Sequence, residues 1–515
     1  MATQWQTYPI EFRGGLISNL SPLQHGVNAV GSATILQNFE PNKEGGYSKI
    51  KGYAKFSTTE VPGSGPILAL KVISSGRIIT ARKNSSNLTE YYYGTGTTWT
   101  SMGSSASTNG GKARHVEYNL DGDDHVLFVD GTNYPAIYNT SGNTLSFMTS
   151  SNSTDVSGAE HVAIFKNTAF FSKGNNIFFT APFTVDDFSA ANGAGSVNVG
   201  QDITGLTVFR DQLIIFTTRS IIRLTGSTAA DFQLSPITDR IGCINGDTIQ
   251  EVGGDIIYLA PDGIRLLSAT DRIGDFALDI ASDKIAKDST SFLNISSNFS
   301  SVLIREKAQY RIFAYVESEQ QGVAKGLIAT KFISQGASGI AWSTTKGIKA
   351  YVADSRYYGD QETISFANED GYIYILNTGN SFAGESIQSI YESPFMPITD
   401  PQTRKTFYKM TLYAEPTGPM ALDVNFKYDF DASTNTGVVQ PSTITISSSG
   451  DSVYVFGAST SIFNSATFGG ELDSVYNSNI IGSGKTVALR IEDNSTNPTF
   501  TLDTAILEYR QNDRQ

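Results

Sequence analysis

The sequence predicts an all-β protein built around a β-propeller of six or seven blades, and three observations carry that prediction. An apolar hairpin recurs at intervals of about 45 residues between Ile78 and Leu376. The 515-residue chain is rich in Gly, Ser, Thr, Asn, Tyr and Phe, and only 17% of it is charged, which suits twisted strands and tight turns better than helices. No long helical period competes with this pattern.

Residues 1–56 carry breaker signals at Gly14-Gly15, Ser21-Pro22, Pro41-Asn42 and Gly45-Gly46 and little periodicity, so they read as an extended arm with short strands. The repeat follows. Its hairpins turn near residues 85, 130, 174, 218, 262, 319 and 370, which stand 45, 44, 44, 44, 57 and 51 residues apart. Asp130-Gly131, Lys173-Gly174, Asp262-Gly263 and Asp370-Gly371 supply the backbone freedom that tight turns need. A four-stranded sheet with two apolar faces cannot bury both alone, so such units pack face to face around an axis. Between the fifth and sixth hairpins, residues 276–288 are the best helix candidate, with Ala277, Ala281 and Ile285 at fourfold spacing and Asp283 four before Lys287.

After about Tyr391 the period stops. Residues 420–431 alternate strictly, with Leu422, Val424, Phe426, Tyr428 and Phe430 on one face, as in a half-buried strand. Further strands at 405–414, 444–447, 453–456, 486–491 and 499–509 suffice for a separate β-sandwich. The expected division is an arm at 1–56 packing with the C-terminal domain, a propeller at 57–390 and a platform at 391–515.

Signatures of chemistry are scarce. Gly482-Ser483-Gly484-Lys485-Thr486 looks like the end of a phosphate loop, but Asn479 stands where its first glycine belongs and a strand follows where a helix must, so it reads as a hairpin turn. Asp121-Gly122-Asp123-Asp124 offers carboxylates without the ligand alternation of a calcium loop and reads as a solvated turn. His25, His115, His125 and His161 are scattered, reading as surface or structural residues. Cys243 is the single cysteine and has no nucleophile motif; it excludes an internal disulfide and points to folding in a reducing cytoplasm. The aromatic runs Tyr91-Tyr92-Tyr93 and Tyr357-Tyr358 look exposed and could touch carbohydrate, although strand aromatics more often fill blade interfaces. No catalytic, cofactor-binding or metal residue is assigned, and no enzyme is expected. A net charge of −13 argues against wrapping duplex DNA, yet an acidic wall can line a passage through which DNA slides. Without an apolar leader or a run of membrane length, the sequence predicts a soluble protein not exported by Sec.

The start of the chain then becomes informative. Glu11-Phe12-Arg13-Gly14-Gly15-Leu16, Leu36-Gln37-Asn38-Phe39-Glu40 and Glu44-Gly45-Gly46-Tyr47, with the basic step from Lys49 to Gly52, resemble the opening of tail nozzle proteins of short-tailed bacteriophages. These are also called tail tubular protein B or tail hub proteins. Residues 205–216, with Arg210-Asp211 before an apolar strand, are similar to one blade of that family, as is a sandwich beginning near Glu392-Ser393-Pro394-Phe395. The resemblance implies a structural virion protein made in the host cytoplasm: a homohexameric ring beneath the tail adaptor, touching tail fibres and conducting viral DNA at ejection without sequence-specific binding. Two alternatives stay open on the residues themselves, a receptor- or carbohydrate-binding propeller and a propeller glycosidase with two close carboxylates in its central pit.

Overall fold

The computed structural model describes residues 5–512 except 75, 106, 107, 109, 121, 268–279, 335, 336, 432–440 and 449–473. The protein is all-β, and each recurring hairpin forms the second and third strands of a small antiparallel sheet. The first four sheets, over 64–104, 114–147, 161–198 and 203–238, are meanders of four consecutive strands. The fifth, over 250–266, has three described strands. The sixth, over 298–346, has four strands and continues into a larger sheet, and the seventh, over 352–376, takes Tyr53–Lys55 from the arm as its fourth strand.

Alternate residues along each middle strand enter opposite cores, which explains why the hairpins read as unbroken apolar runs. Phe128 packs with Tyr91 of the first sheet, while its neighbour Leu127 packs with Phe171 of the third. Phe170 meets Leu213 and Ile215 of the fourth sheet, whose Ile214 and Phe216 meet Ile256 and Tyr258 of the fifth. Phe313 and Ile328 of the sixth meet Ile364 and Phe366 of the seventh, and Val352 and Ile373 of the seventh meet Ile78 and Tyr92 of the first. Each large side chain buried in this way stabilises the fold by about 1.5–3 kcal/mol. The turn glycines Gly174 (φ +57°) and Gly371 (φ +83°) adopt the left-handed backbone the hairpins require.

The two ends of the chain fold together. Gln6–Glu11 pairs antiparallel with Phe500–Gln511, which also pairs with Lys405–Pro416, and Phe39–Pro41 and Tyr47–Lys49 extend the same sheet. Ile35–Gln37 is inserted between Ala337–Lys346 of the sixth sheet and Ile387–Glu392, so one nine-stranded sheet runs from the repeat into the C-terminal region. The C-terminal strands are therefore not a separate sandwich: they face the six-stranded sheet through Leu422, Val424, Phe426, Met410, Leu412 and Leu507, but share backbone pairing with the repeat.

Several expectations are corrected. The helix expected over 276–288 begins later, at Ala286–Leu293, and part of the expected span lies outside the described residues. Ile280 bridges Arg265, and the Ser282 hydroxyl accepts from the Ile264 amide at 3.0 Å, holding the chain against the fifth sheet until a 3-10 turn at Asp283–Ile285 releases it. Strand Met420–Tyr428 keeps the expected alternation, but Phe430 leaves the buried face with φ +62° and stacks at 4.8 Å on Phe395. Ser21-Pro22 starts a helix, Pro22–Asn28, because proline suits a first helical turn. The strand expected at 453–456 lies outside the described residues.

Candidate functional site

The first strands of the seven sheets face a common pit of about 300 Å³, lined in turn by Leu70, Arg114, His161, Leu206, Gln250, Ser301 and Val352. One charged cluster lies in its wall, and a second stands beside it, sharing His115 and Asp354 with the pit. Asp247 sits in a 3-10 turn, Gly246–Thr248, whose start is fixed by the Asn245 side chain accepting from the Asp247 amide. Arg114 grips this carboxylate through Nε at 2.7 Å and Nη2 at 3.1 Å, and Lys112 Nζ lies 3.1 Å away while also donating to the Phe299 carbonyl. In the second cluster Lys71 Nζ bridges Glu117 at 2.6 Å and Asp354 at 3.3 Å, Arg356 holds the other oxygen of Glu117 at 3.0 Å, and His115 Nε2 stands 3.6 Å from Asp354.

These contacts decide the protonation states. Burial works against ionisation of Asp247, but Lys112 and Arg114 outweigh it and hold the carboxyl well below the usual range. Asp354 is held low in the same way, against burial, by Lys71, His115 and the Val72 amide. His161 goes the opposite way: burial, aided by Arg114, pushes it down to about 3, so its imidazole stays neutral. Its ring nitrogens have no hydrogen-bond partner among the described residues. Asp247 and Asp354 thus lack the raised pKa that a general acid for glycoside hydrolysis requires.

The pit widens into a mouth of about 470 Å³ that shares Gln250, Ser301 and Asp354 with it and reaches Arg305, Arg356 and Tyr357. Tyr357 and Tyr358, 42% and 53% exposed, end the first strand of the seventh sheet there. Of the two aromatic runs singled out in the sequence, this one is exposed; Tyr91 and Tyr92 are buried between sheets.

The remaining candidates are structural. Cys243 is buried, donates to the Asn245 carbonyl, and has its thiol pushed up to about 12 by burial, which rules it out as a thiolate nucleophile. His25 is buried against the Ser32 hydroxyl at 2.6 Å, and His125 contacts Asn139 at 3.1 Å, so neither is a surface residue. Asp121 lies outside the described residues, Asp124 accepts from Asn119 at 2.9 Å, and no cluster of three or more metal-ligating side chains occurs among the described residues. Residues 482–486 end strand Val475–Gly484 of the six-stranded sheet and lead into Val487–Ser495 of the nine-stranded one, so the expected hairpin turn is corrected: the stretch is a crossing between two sheets. Among the described residues no helix is long and apolar enough to cross a membrane.

The arm residues that carry the family resemblance are joints. Asn38 (φ +53°) donates to the carbonyls of Lys346 and Gln388, tying the sixth sheet to the C-terminal strands. Glu40 is buried between Lys307 and Arg311, and Lys49 is buried against Asp493 and the carbonyls of Ser495 and Asn497. A Cβ on Gly15 (φ +72°) would fall 2.8 Å from the Trp342 backbone. Sequence reasoning missed the pit: Lys71, Arg114, His161 and Asp247 share no local motif, and the available signal was their place before each hairpin of the repeat.

No protein family and no curated protein matches the chain. Solved structures do. The extracellular domain of a one-component system of B. thetaiotaomicron is similar with a TM-score of 0.39 at 10% identity, over 66% of this chain and 41% of that one. The extracellular domains of two hybrid two-component systems of the same organism give TM-scores of 0.37 and 0.38 at 14% and 11% identity, over 61% and 72% of this chain. The chain spans 41% and 44% of their lengths. Against the expectation of a bacteriophage virion tail protein, a homohexameric nozzle for DNA ejection, the similar structures are extracellular domains of bacterial one- and two-component systems and not phage tail proteins.

Proposed function

We propose that the chain is a seven-bladed β-propeller acting as a non-catalytic binding protein, of the receptor- or carbohydrate-binding kind, with the mouth of the central pit as its site. Seven consecutive small sheets, each packed between two others with the last against the first, support the propeller. The observation that carries the binding reading is the exposed Tyr357 on a concave surface of Arg, Glu, Gln and Ser side chains. Sugar rings stack on such aromatics while their hydroxyls bond to the polar groups. Ion-paired carboxylates held in their charged form favour binding over hydrolysis.

Binding of the purified chain to an array of oligosaccharides tests this. Retention of a subset of glycans is expected, with Tyr357→Ala weakening it roughly tenfold or more while the fold persists. An array with no retained glycan would sink the reading.

A further inference from the structure

The pit differs in charge from the molecule around it. The chain carries −13 overall, yet the walls of pit and mouth present Lys71, Lys112, Arg114, Arg305 and Arg356 against Glu117, Asp247 and Asp354. Glu362, whose side chain is enclosed, neutralises Arg305 at 3.2 Å, and the wall still keeps an excess of positive charge. Asp247 alone answers both Lys112 and Arg114.

A second, independent feature points to an occupant. His161 is only 7% exposed, lines the pit, and has no hydrogen-bond partner among the described residues. A side chain so enclosed, with nothing among the described residues to pair with and its ring on the open pit, is free to bond to what enters there. Gly246 packs closely against the ring, since a Cβ there would fall 2.9 Å from its Cε1 and 2.1 Å from the Thr204 carbonyl oxygen. A neutral imidazole offers one N–H donor and one acceptor, the pair that a sugar acid or its neighbouring hydroxyl can use.

We infer that the pit is an anion subsite: a glycan runs from Tyr357 at the mouth past Lys71 into the pit, where the acidic substituent of its inner sugar meets Arg114 and His161, and the ligand class is an acidic glycan. This inference rests on the binding reading above. The volume of about 300 Å³ is at the small end of ligand pockets and suits one substituted sugar. Inside a water-poor pit a charge-assisted hydrogen bond to a carboxylate or a sulfate is stronger than one to a neutral hydroxyl. A neutral sugar would leave the excess cation and the imidazole unanswered.

The test compares matched oligosaccharides that differ in one substituent: a uronic or sialic acid, the methyl ester of that acid, and a sulfated analogue, titrated against the full chain. The acid is expected to bind roughly tenfold or more tightly than its ester, with the advantage shrinking as salt rises. The sulfated arm tells which anion fits. His161→Gln and the half-exposed Arg356→Gln should each reduce the advantage, whereas Tyr357→Ala should weaken acid and ester alike; melting curves identify any variant that does not fold, and the ester comparison needs no variant. Equal binding of acid and ester overturns the inference and leaves the binding reading standing. Binding of neither, nor of any sulfated or neutral glycan, overturns both.

Discussion

His161 shows how one side chain links the pit to stability. Its imidazole faces Arg114, Lys112 and Asp247, and burial with the Arg114 charge lowers its pKa to about 3. In the unfolded chain the same group titrates near its ordinary value of about 6.5. As pH falls through 6.5 the unfolded chain takes up a proton that the folded one refuses, so folding loses stability on acidification. Between pH 6.5 and 5 this amounts to about 2 kcal/mol. Denaturant midpoints against pH should fall over that window and fall less in His161→Gln; an unchanged slope in the variant would remove His161 as the cause. His25, also lowered by burial, supplies part of what remains. Asp247 and Asp354, held low in the fold, add losses only at lower pH, nearer their unfolded values of about 4. Legibility at this scale followed residue type. Paired glycines at 14–15 and 45–46 announced backbone turns, and both pairs have positive φ. The histidines gave no such sign, because what makes His161 unusual is the company it keeps across three sheets.

Among the elements, the hairpins were legible and their flanking strands were not. The second strands are largely buried on both faces and read as apolar runs, as in His125–Val129, and the third strands still bury every other residue, as in Ala136–Asn139. Fourth strands such as Thr144–Phe147 are half exposed and carry mixed residues, and first strands are composed partly for the pit. The arm strand Tyr53–Lys55 was invisible for a different reason: three residues specify a strand only when a waiting edge, here Ile373–Leu376, completes the pairing. Tyr53 anchors it, packed 4.8 Å from Phe382, 5.0 Å from Phe366 and 5.1 Å from Tyr374, and within 3.1 Å of the Gly347 carbonyl. Tyr53→Ala should cost about 3–5 kcal/mol. Amide exchange locates the damage: faster exchange is expected across Ile373–Leu376 and not across Ile221–Thr225 on the far sheets, and uniform acceleration would argue that the strand is not a local closure.

For the whole molecule, the repeat and the C-terminal strands share a nine-stranded sheet and are clasped by the same arm, through Asn38, Glu40 and Lys49. A cut at 390/391, which the change in sequence period suggests, falls inside strand Ile387–Glu392. Periodicity marks where the repeat stops and not where backbone pairing stops, which is why the sequence suggested separate bodies. Buried ion pairs at the joints make separation costly, since leaving either partner alone in the interior is penalised by several kcal/mol. Calorimetry is therefore expected to give one unfolding transition; two resolved peaks would mean that repeat and platform melt independently despite the shared sheet.

The pairing of Gln6 with Tyr509 also has a meaning in time. A ribosome adding about 5–20 residues each second needs on the order of 25–100 s to travel from one partner to the other. Throughout that interval the arm is an early-made piece waiting for a late-made one, and the seventh sheet cannot seat Tyr53–Lys55 until Ile373–Leu376 has emerged. The closing steps of folding thus wait until Phe500–Gln511 has emerged, and until then the exposed edge of the nascent arm is what a chaperone has most to protect.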